Sequence, residues 1–231
     1  MATHEHIVKS YDSELERLYG EIGRMGEIAV AQLDAAIDAL GRRDSKAARR
    51  VVANDVAIDE LEREVSQDVL RLLALRQPMA RDLREVYGAL RISADIERIG
   101  DYAANVAKRS MVLNEGPVVK ASHALPLLSK AANSLVRDAM SAFANRDAEL
   151  ALSVRGRDAE LDELYTGLFR ELLTYMAEDP RTITQGAHLL FIAKNIERIG
   201  DHATNIAEYA HFIVHGELPA EAREKRDTTA Q

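Results

Sequence analysis

The sequence predicts an all-α fold of two tandem, pseudo-symmetric antiparallel three-helix bundles, with six long helices in total. Apolar residues recur every three or four positions over long stretches, which is helical spacing, and no segment alternates with period two. Aromatic residues make up only 5% of the chain and Trp is missing, a composition that favours helices. The stretch "DIERIGDYAAN" at 95–105 nearly repeats as "NIERIGDHATN" at 195–205, which indicates a duplication.

The helix boundaries follow from proline and aspartate residues. Pro78 and Pro180 each precede a long periodic segment, and proline is common at helix starts. Asp44 and Asp147 begin matching segments, so their side chains are expected to cap the helices that follow. The predicted helices span 5–41, 45–76, 79–114, 122–145, 148–178 and 181–215.

The two halves match beyond the repeated motif. Asp55 and Asp158 are 103 positions apart, whereas Glu97 and Glu197 are 100 apart. The three-residue difference falls between the second and third helices of each half, where a loop is expected to absorb it. The predicted organisation is a first repeat over 1–116, a second repeat over 117–216 and a polar, disordered tail over 217–231.

Charge and composition exclude several classes of protein. The net charge of −8 argues against an electrostatic nucleic-acid binder, which needs a basic surface. Without cysteine the chain has no disulfide, no thiolate metal site and no Cys nucleophile. No apolar run approaches the roughly 20 residues of a membrane span, and no secretory signal is visible. A soluble, cytoplasmic protein is therefore expected.

The repeated motif carries acidic side chains at helical spacing. Residues four apart lie one turn apart on nearly the same helical face. Like charges at this spacing cost about 0.2–0.5 kcal/mol per pair, which a bound cation would offset. The resulting stripes of oxygen-bearing side chains are Glu97, Asp101 and Asn105 in the first half and Glu197, Asp201 and Asn205 in the second.

The donor atoms limit which cations would suit these stripes. Each preceding helix adds an acidic pair at the same spacing, and two such pairs on adjacent antiparallel helices would converge. Cys is missing from the chain and His from the first stripe, so the ligands would be oxygens. Oxygen ligands favour Mg²⁺, Mn²⁺, Ca²⁺ or oxidised iron.

A solvated, ion-paired acidic face is the competing interpretation. Arg98 and Arg198 lie within salt-bridge reach of Asp101 and Asp201 on a helix. This interpretation is preferred for a single motif, whereas matching copies in both halves favour metal binding.

Each motif also places a glycine inside a predicted helix. Gly100 and Gly200 cost about 1 kcal/mol each relative to Ala, so we expect a neighbouring helix or a ligand to approach them closely. His202 has Tyr102 as its counterpart, which is not a usual metal ligand, so His202 is interpreted as a neighbour of the site. The packing face is expected to comprise Ile96, Ile99, Ala103 and Val106.

The two motifs resemble the paired signatures of the PhoU family. These are "DIERIGDYAANVAKR" and "NIERIGDHATNIAEY", each preceded by a helix bearing D-x-x-x-D, together with "QPMARDLREVYGALRISADIERIGD". The resemblance covers about residues 5–215 and implies two three-helix bundles related by a pseudo-two-fold axis. It also implies a cytoplasmic regulator that links the high-affinity phosphate ABC importer to a sensor histidine kinase and damps the phosphate-starvation response.

The resemblance further implies metal ligands and partners. Some family members bind multinuclear metal clusters on these acidic motifs, which implies Mn, Mg, Fe or Zn ions here. The implied partners are the ATPase subunit of the importer, the phosphate-sensing kinase and a second copy in a homodimer, with no nucleic acid. Contact with the membrane is expected only through these partners. The implied ligands are Asp55, Asp59, Glu97, Asp101, Asp158, Asp162, Glu197 and Asp201, with Asn105 and Asn205 as supporting residues.

A non-enzymatic regulator is the predicted function, and two alternatives stay open. A two-metal phosphohydrolase would use similar carboxylate clusters, but the motifs lack the His or positioned base that such enzymes usually recruit. A metal-free helical adaptor would leave the acidic stripes solvated. The chain contains no G-x-x-x-x-G-K-[ST] phosphate-binding loop.

Overall fold

The computed structural model describes residues 2–117 and 123–220, with side chains for residue 11 and from residue 13 onward. Regular structure in these ranges is entirely helical, as predicted. The predicted tail is non-helical over 217–220, and its remainder lies outside the described residues. The helices are α1 (Ala2–Arg42), α2 (Ser45–Asn54), α3 (Val56–Arg76), α4 (Arg81–Leu113), α5 (Leu125–Asn145), α6 (Ala148–Glu178) and α7 (Ile183–His215).

Helices α2 and α6 begin at matching aspartates. The Asp44 carboxylate accepts hydrogen bonds from the backbone N–H groups of Lys46 and Ala47, both at 2.9 Å. The Asp147 carboxylate accepts one from Leu150 N–H at 2.9 Å. Both satisfy N–H groups that lack a partner within the first helical turn. The two predicted N-caps are confirmed.

The helix predicted over 45–76 is interrupted at Asp55, which separates α2 from α3. Asp55 keeps helical backbone angles (φ −57°, ψ −35°), and its carbonyl accepts a hydrogen bond from Ile58 N–H at 2.9 Å. This bond spans three residues and is shorter than the four-residue bond from Asp59 N–H to the same carbonyl, at 3.4 Å, so the hydrogen bonding tightens locally. The corresponding Asp158 lies inside the continuous helix α6, so the two halves differ at this point.

The difference in repeat spacing lies in the helix ends and not in a loop. The connections 77–80 and 179–182 both have four residues, and the second contains a 3-10 turn over Pro180–Thr182. Relative to the first half, α6 ends one residue earlier and α7 begins two residues later. The expectation that a loop absorbs the difference is therefore wrong.

The two halves pack through α4 and α7, which run antiparallel. Arg91 Nε donates a hydrogen bond to the Tyr209 hydroxyl at 2.9 Å, and the Arg109 guanidinium lies 4.1 Å from the centre of the Phe191 ring. Equivalent positions of α4 and α7 are 100 residues apart, so Arg91 is equivalent to Phe191 and Arg109 is equivalent to Tyr209. One contact is therefore converted into the other by a pseudo-two-fold axis between the halves.

The remaining helices are arranged around this central pair. Helix α1 packs on α4, α5 packs on α7, and α1 and α5 touch each other, while α2–α3 and α6 flank the two halves. In the described residues, no helix has both the length and the apolar character needed to cross a membrane. The predicted packing residues are fully buried, which confirms that face of the motif: Ile96, Ile99, Ala103 and Val106.

Candidate metal centres

The first acidic cluster lies where α4 faces the junction between α2 and α3. Glu97 and Asp101 on α4 are near Asp55, at the junction, and Asp59, in the first turn of α3. Burial raises the pKa of Asp55 and of Glu97, and the negative charges of Asp101 and Asp59 raise both further. The four carboxylates are thus close enough to repel one another.

One side of the first cluster is open to solvent. The Glu97 side chain is 27% exposed and that of Asp101 is 41% exposed. A guanidinium nitrogen of Arg98 lies 3.1 Å from Asp101 Oδ2, but Arg98 is itself 59% exposed. Such an ion pair contributes about 0–1 kcal/mol because water screens it. The ion-paired interpretation of the sequence therefore applies to the rim of this cluster.

In the second acidic cluster, between α6 and α7, three of the four carboxylates are buried and Asp201 is half-buried. Asp158, Asp162 and Glu197 are only 1%, 2% and 3% exposed. Burial raises the pKa of Glu197; a hydrogen bond from Lys194 opposes the shift, while the charges of Asp201 and Asp162 add to it. Ionised carboxylates are rarely buried without a compensating charge or hydrogen bonds. A solvated acidic face does not describe this half.

The motif glycines allow the flanking helices to approach. A Cβ atom on Gly100 would lie 2.7 Å from Ile58 Cδ1 and 3.2 Å from Asp55 Oδ1. A Cβ atom on Gly200 would overlap Leu161 Cδ2 and lie 3.3 Å from an Asp158 oxygen. The predicted close approach is confirmed, and in both halves it brings a flanking carboxylate against the motif helix.

Two buried oxygen atoms at the clusters have no hydrogen-bond partner within the described residues. One is Glu197 Oε2, and the other is Oε1 of Gln32, which is 6% exposed. Gln32 Nε2 donates to Asp55 Oδ1 at 2.8 Å and to the Gly100 carbonyl at 3.3 Å, so the amide lies against the first cluster. Unpartnered buried oxygens beside carboxylates form a donor set that fits a hard cation.

In each half the four carboxylates lie along one contact between helices, but their side chains do not converge on a single position. Across residues 2–117 and 123–220, no three His, Cys, Asp or Glu side chains are placed so that they could hold a metal ion together. Cation binding would therefore require side-chain rotation at each cluster. The eight implied ligands stay a prediction.

Of the two supporting asparagines, Asn205 contacts a carboxylate outside the second cluster. Asn205 Nδ2 donates to Asp95 Oδ1 at 3.1 Å, and His202 Nδ1 lies 2.7 Å from the same oxygen. The His202 ring also lies 5.6 Å from the Tyr102 ring, centre to centre. These residues join the two halves at the α4–α7 contact. Asn105 is half-buried on α4.

Sequence reasoning missed two residues at the clusters. Lys194 Nζ lies 2.9 Å from Glu197 Oε1, and its position three residues before Glu197 was the available signal. Gln32 offered no signal, because it lies on α1 outside the repeated motifs and its counterpart in the second half is Leu135.

Together, the fold and the two clusters define a duplicated all-α protein with one acidic cluster in each half. The sequence model of the PhoU domain matches this chain twice, over residues 22–110 and 125–210. The chain belongs to the PhoU family.

Individual relatives match over nearly their whole length. The phosphate-specific transport system accessory protein PhoU homolog of Xylella fastidiosa strain 9a5c is 60% identical, over 97% of this chain and 95% of that protein. Its Caulobacter vibrioides counterpart is 47% identical, over 98% and 99%. The crystal structure of PhoU from Pseudomonas aeruginosa superposes with a TM-score of 0.86 at 38% identity, over 90% of this chain and 100% of the other.

Proposed function

We propose that this chain is a cytoplasmic, non-enzymatic regulator of phosphate uptake that negatively regulates the phosphate-starvation response. The observation that carries the proposal is the full-length similarity to phosphate-specific transport system accessory proteins, at 60% identity for the Xylella fastidiosa relative. A Streptococcus pneumoniae structure described as a phosphate transport system regulatory protein also matches, with a TM-score of 0.85 and 29% identity over 91% of this chain.

The proposed partners are the ATPase subunit of the phosphate ABC importer and the phosphate-sensing histidine kinase. By binding both, a homodimer of the chain would couple transport to signalling. Apolar side chains around the α3–α4 connection support a role in protein contacts: Leu75, Met79 and Leu83 are 70%, 79% and 45% exposed. A protein partner would remove such surface from water.

The acidic clusters are proposed to bind divalent or trivalent cations, with Mg²⁺, Mn²⁺ and iron favoured over Zn²⁺ by the oxygen donors. A bound cation would supply the positive charge that offsets repulsion among carboxylates. The flanking carboxylates Asp55, Asp59, Asp158 and Asp162 would hold it on one side. The motif carboxylates on α4 and α7 would hold it on the other.

A gene deletion tests the regulatory role. Deleting the gene should leave a phosphate-starvation reporter switched on in phosphate-rich medium, and the wild-type gene supplied in trans should switch it off. Affinity purification from phosphate-replete cells should recover the importer ATPase or the histidine kinase. Normal repression in the deletion strain would refute the regulatory proposal.

Complementation separates metal binding from regulation. A variant with all eight cluster carboxylates replaced by Ala should lose cations and fail to restore repression if the clusters serve signalling. Full complementation by such a variant, folded and metal-free, would show that the clusters are dispensable. A turnover assay with generic phosphoesters and added Mn²⁺ tests the phosphohydrolase alternative, and sustained hydrolysis by the wild-type protein would support that alternative.

A further inference from the structure

We propose that Lys194 is a built-in counter-ion of the second acidic cluster, so that the first cluster binds divalent cations more tightly than the second. The inference rests on the proposed metal binding. It adds that the two clusters, equivalent by sequence repeat, are unequal in their chemistry.

The position of Lys194 carries the inference. Its ammonium lies 2.9 Å from Glu197 Oε1, and 5.0 Å from the centre of the Tyr165 ring. Glu197 is 3% exposed and Tyr165 is 4% exposed, so the ammonium contacts groups that water does not reach. A charged hydrogen bond in such surroundings is stronger than one at the surface.

The first half lacks this cation. The position equivalent to Lys194 is Ala94, which is exposed, and the position equivalent to Tyr165 is Glu62. The Glu62 charge contributes to raising the pKa of Glu97. The first half therefore gathers five carboxylates, and the cations near them, Arg98 and Lys108, are exposed to water that screens their charge. The second half gathers four carboxylates and the less exposed ammonium of Lys194.

The second cluster still has a free donor atom. Glu197 Oε2 is buried and has no hydrogen-bond partner within the described residues, while Oε1 of the same side chain is occupied by Lys194. Lys194 itself is 35% exposed, so its flexible stem can carry the ammonium out to solvent. A divalent cation entering this cluster must displace the ammonium or share the site with its charge. Either requirement weakens binding relative to the first half.

Isolating each cluster makes the comparison direct, with Mn²⁺ as the probe and its free concentration measured by electron paramagnetic resonance. Asp158→Asn combined with Asp162→Asn leaves only the first cluster. Asp55→Asn combined with Asp59→Asn leaves only the second. The first cluster should bind Mn²⁺ about tenfold more tightly than the second, which corresponds to about 1.4 kcal/mol.

Exchanging the residues at the two equivalent positions then tests the cause. Lys194→Ala, made in the background with only the second cluster, should tighten Mn²⁺ binding about tenfold. Ala94→Lys, made in the background with only the first cluster, should weaken it by a similar factor. Lys130→Ala removes an exposed lysine on α5 and serves as the matched control, with no change expected. Circular dichroism confirms the helical content of each variant.

The outcomes separate the role of Lys194 from metal binding itself. Equal affinities of the two isolated clusters, unchanged by either exchange, would overturn the role of Lys194 while leaving metal binding intact. Failure of both isolated clusters and of the wild-type protein to bind Mn²⁺ would overturn metal binding and the inference with it. The regulatory role would then still be decided by the gene-deletion experiment.

Discussion

Replacing Gly200 with alanine tests how tightly α6 packs against α7 beside the second cluster. The new methyl group would overlap Leu161 Cδ2, and it would lie 3.6 Å from Leu161 Cγ and 3.3 Å from an Asp158 oxygen. Leu161 is 1% exposed, so its side chain is held by its neighbours. The Leu161 side chain must therefore shift or α6 and α7 must separate locally, and the Asp158 carboxylate must give way by a few tenths of an ångström.

The expected magnitude follows from two opposing effects. Alanine in place of glycine favours a helix by about 1 kcal/mol. Forcing a methyl group into a well-packed contact costs about 1–3 kcal/mol. Gly156→Ala on α6 is the matched control, because a Cβ atom there meets nothing within 4 Å. Gly200→Ala should therefore be less stable than the control by about 1–3 kcal/mol.

Thermal unfolding, followed by circular dichroism at 222 nm, measures this difference. For a chain of this length, 1 kcal/mol shifts the melting temperature by about 2–4 °C. Gly156→Ala should melt at or above the wild-type temperature, and Gly200→Ala clearly below the control. If both variants gain stability equally, the α6–α7 contact is looser than described and the reason given for the motif glycine is wrong.

Two further predictions concern the carboxylates. Changing Glu97 and Asp101 together to Ala should remove about half of the bound cation, as measured by elemental analysis of the purified protein, and unchanged stoichiometry would show that they are not ligands. Burial raises the pKa of Glu197 above its ordinary value of 4.5, so the folded state holds this proton more tightly than the unfolded state. In chelator, the unfolding free energy of the wild type relative to Glu197→Gln should therefore fall as the pH rises from 4.5 toward 7. A difference that is independent of pH would contradict the burial of this carboxylate.

Much of the fold was predictable because the determining signals are local. Asp44 and Asp147 identified helix starts, since capping depends on a side chain and the first few N–H groups. The interruption at Asp55 gave no comparable signal, because its backbone angles stay helical and neither Pro nor Gly marks it. Its counterpart Asp158 continues a helix, so the residue type does not determine the interruption.

The candidate site was predictable only in part. Helical spacing placed Glu97 and Asp101 on one face, and the repeat predicted the same for the second half. Spacing contains no information on burial, so it could not distinguish the open first cluster from the buried second one. Gln32 on α1 lies 23 positions from Asp55 and 68 positions from Gly100, and no local pattern in the sequence links it to either residue.

The α4–α7 register has the form of an isologous interface, in which a two-fold axis repeats each contact. This is what a homodimer of a three-helix chain would make, with both copies now carried on one polypeptide. In a homodimer the two copies of a contact must remain identical, whereas a fused chain allows each copy to change alone. Arg91 meets a tyrosine hydroxyl, while Arg109 meets a phenylalanine ring that offers none. Covalent fusion thus allows the two halves to keep a symmetric helix arrangement while equivalent positions in them carry different side chains and make different contacts.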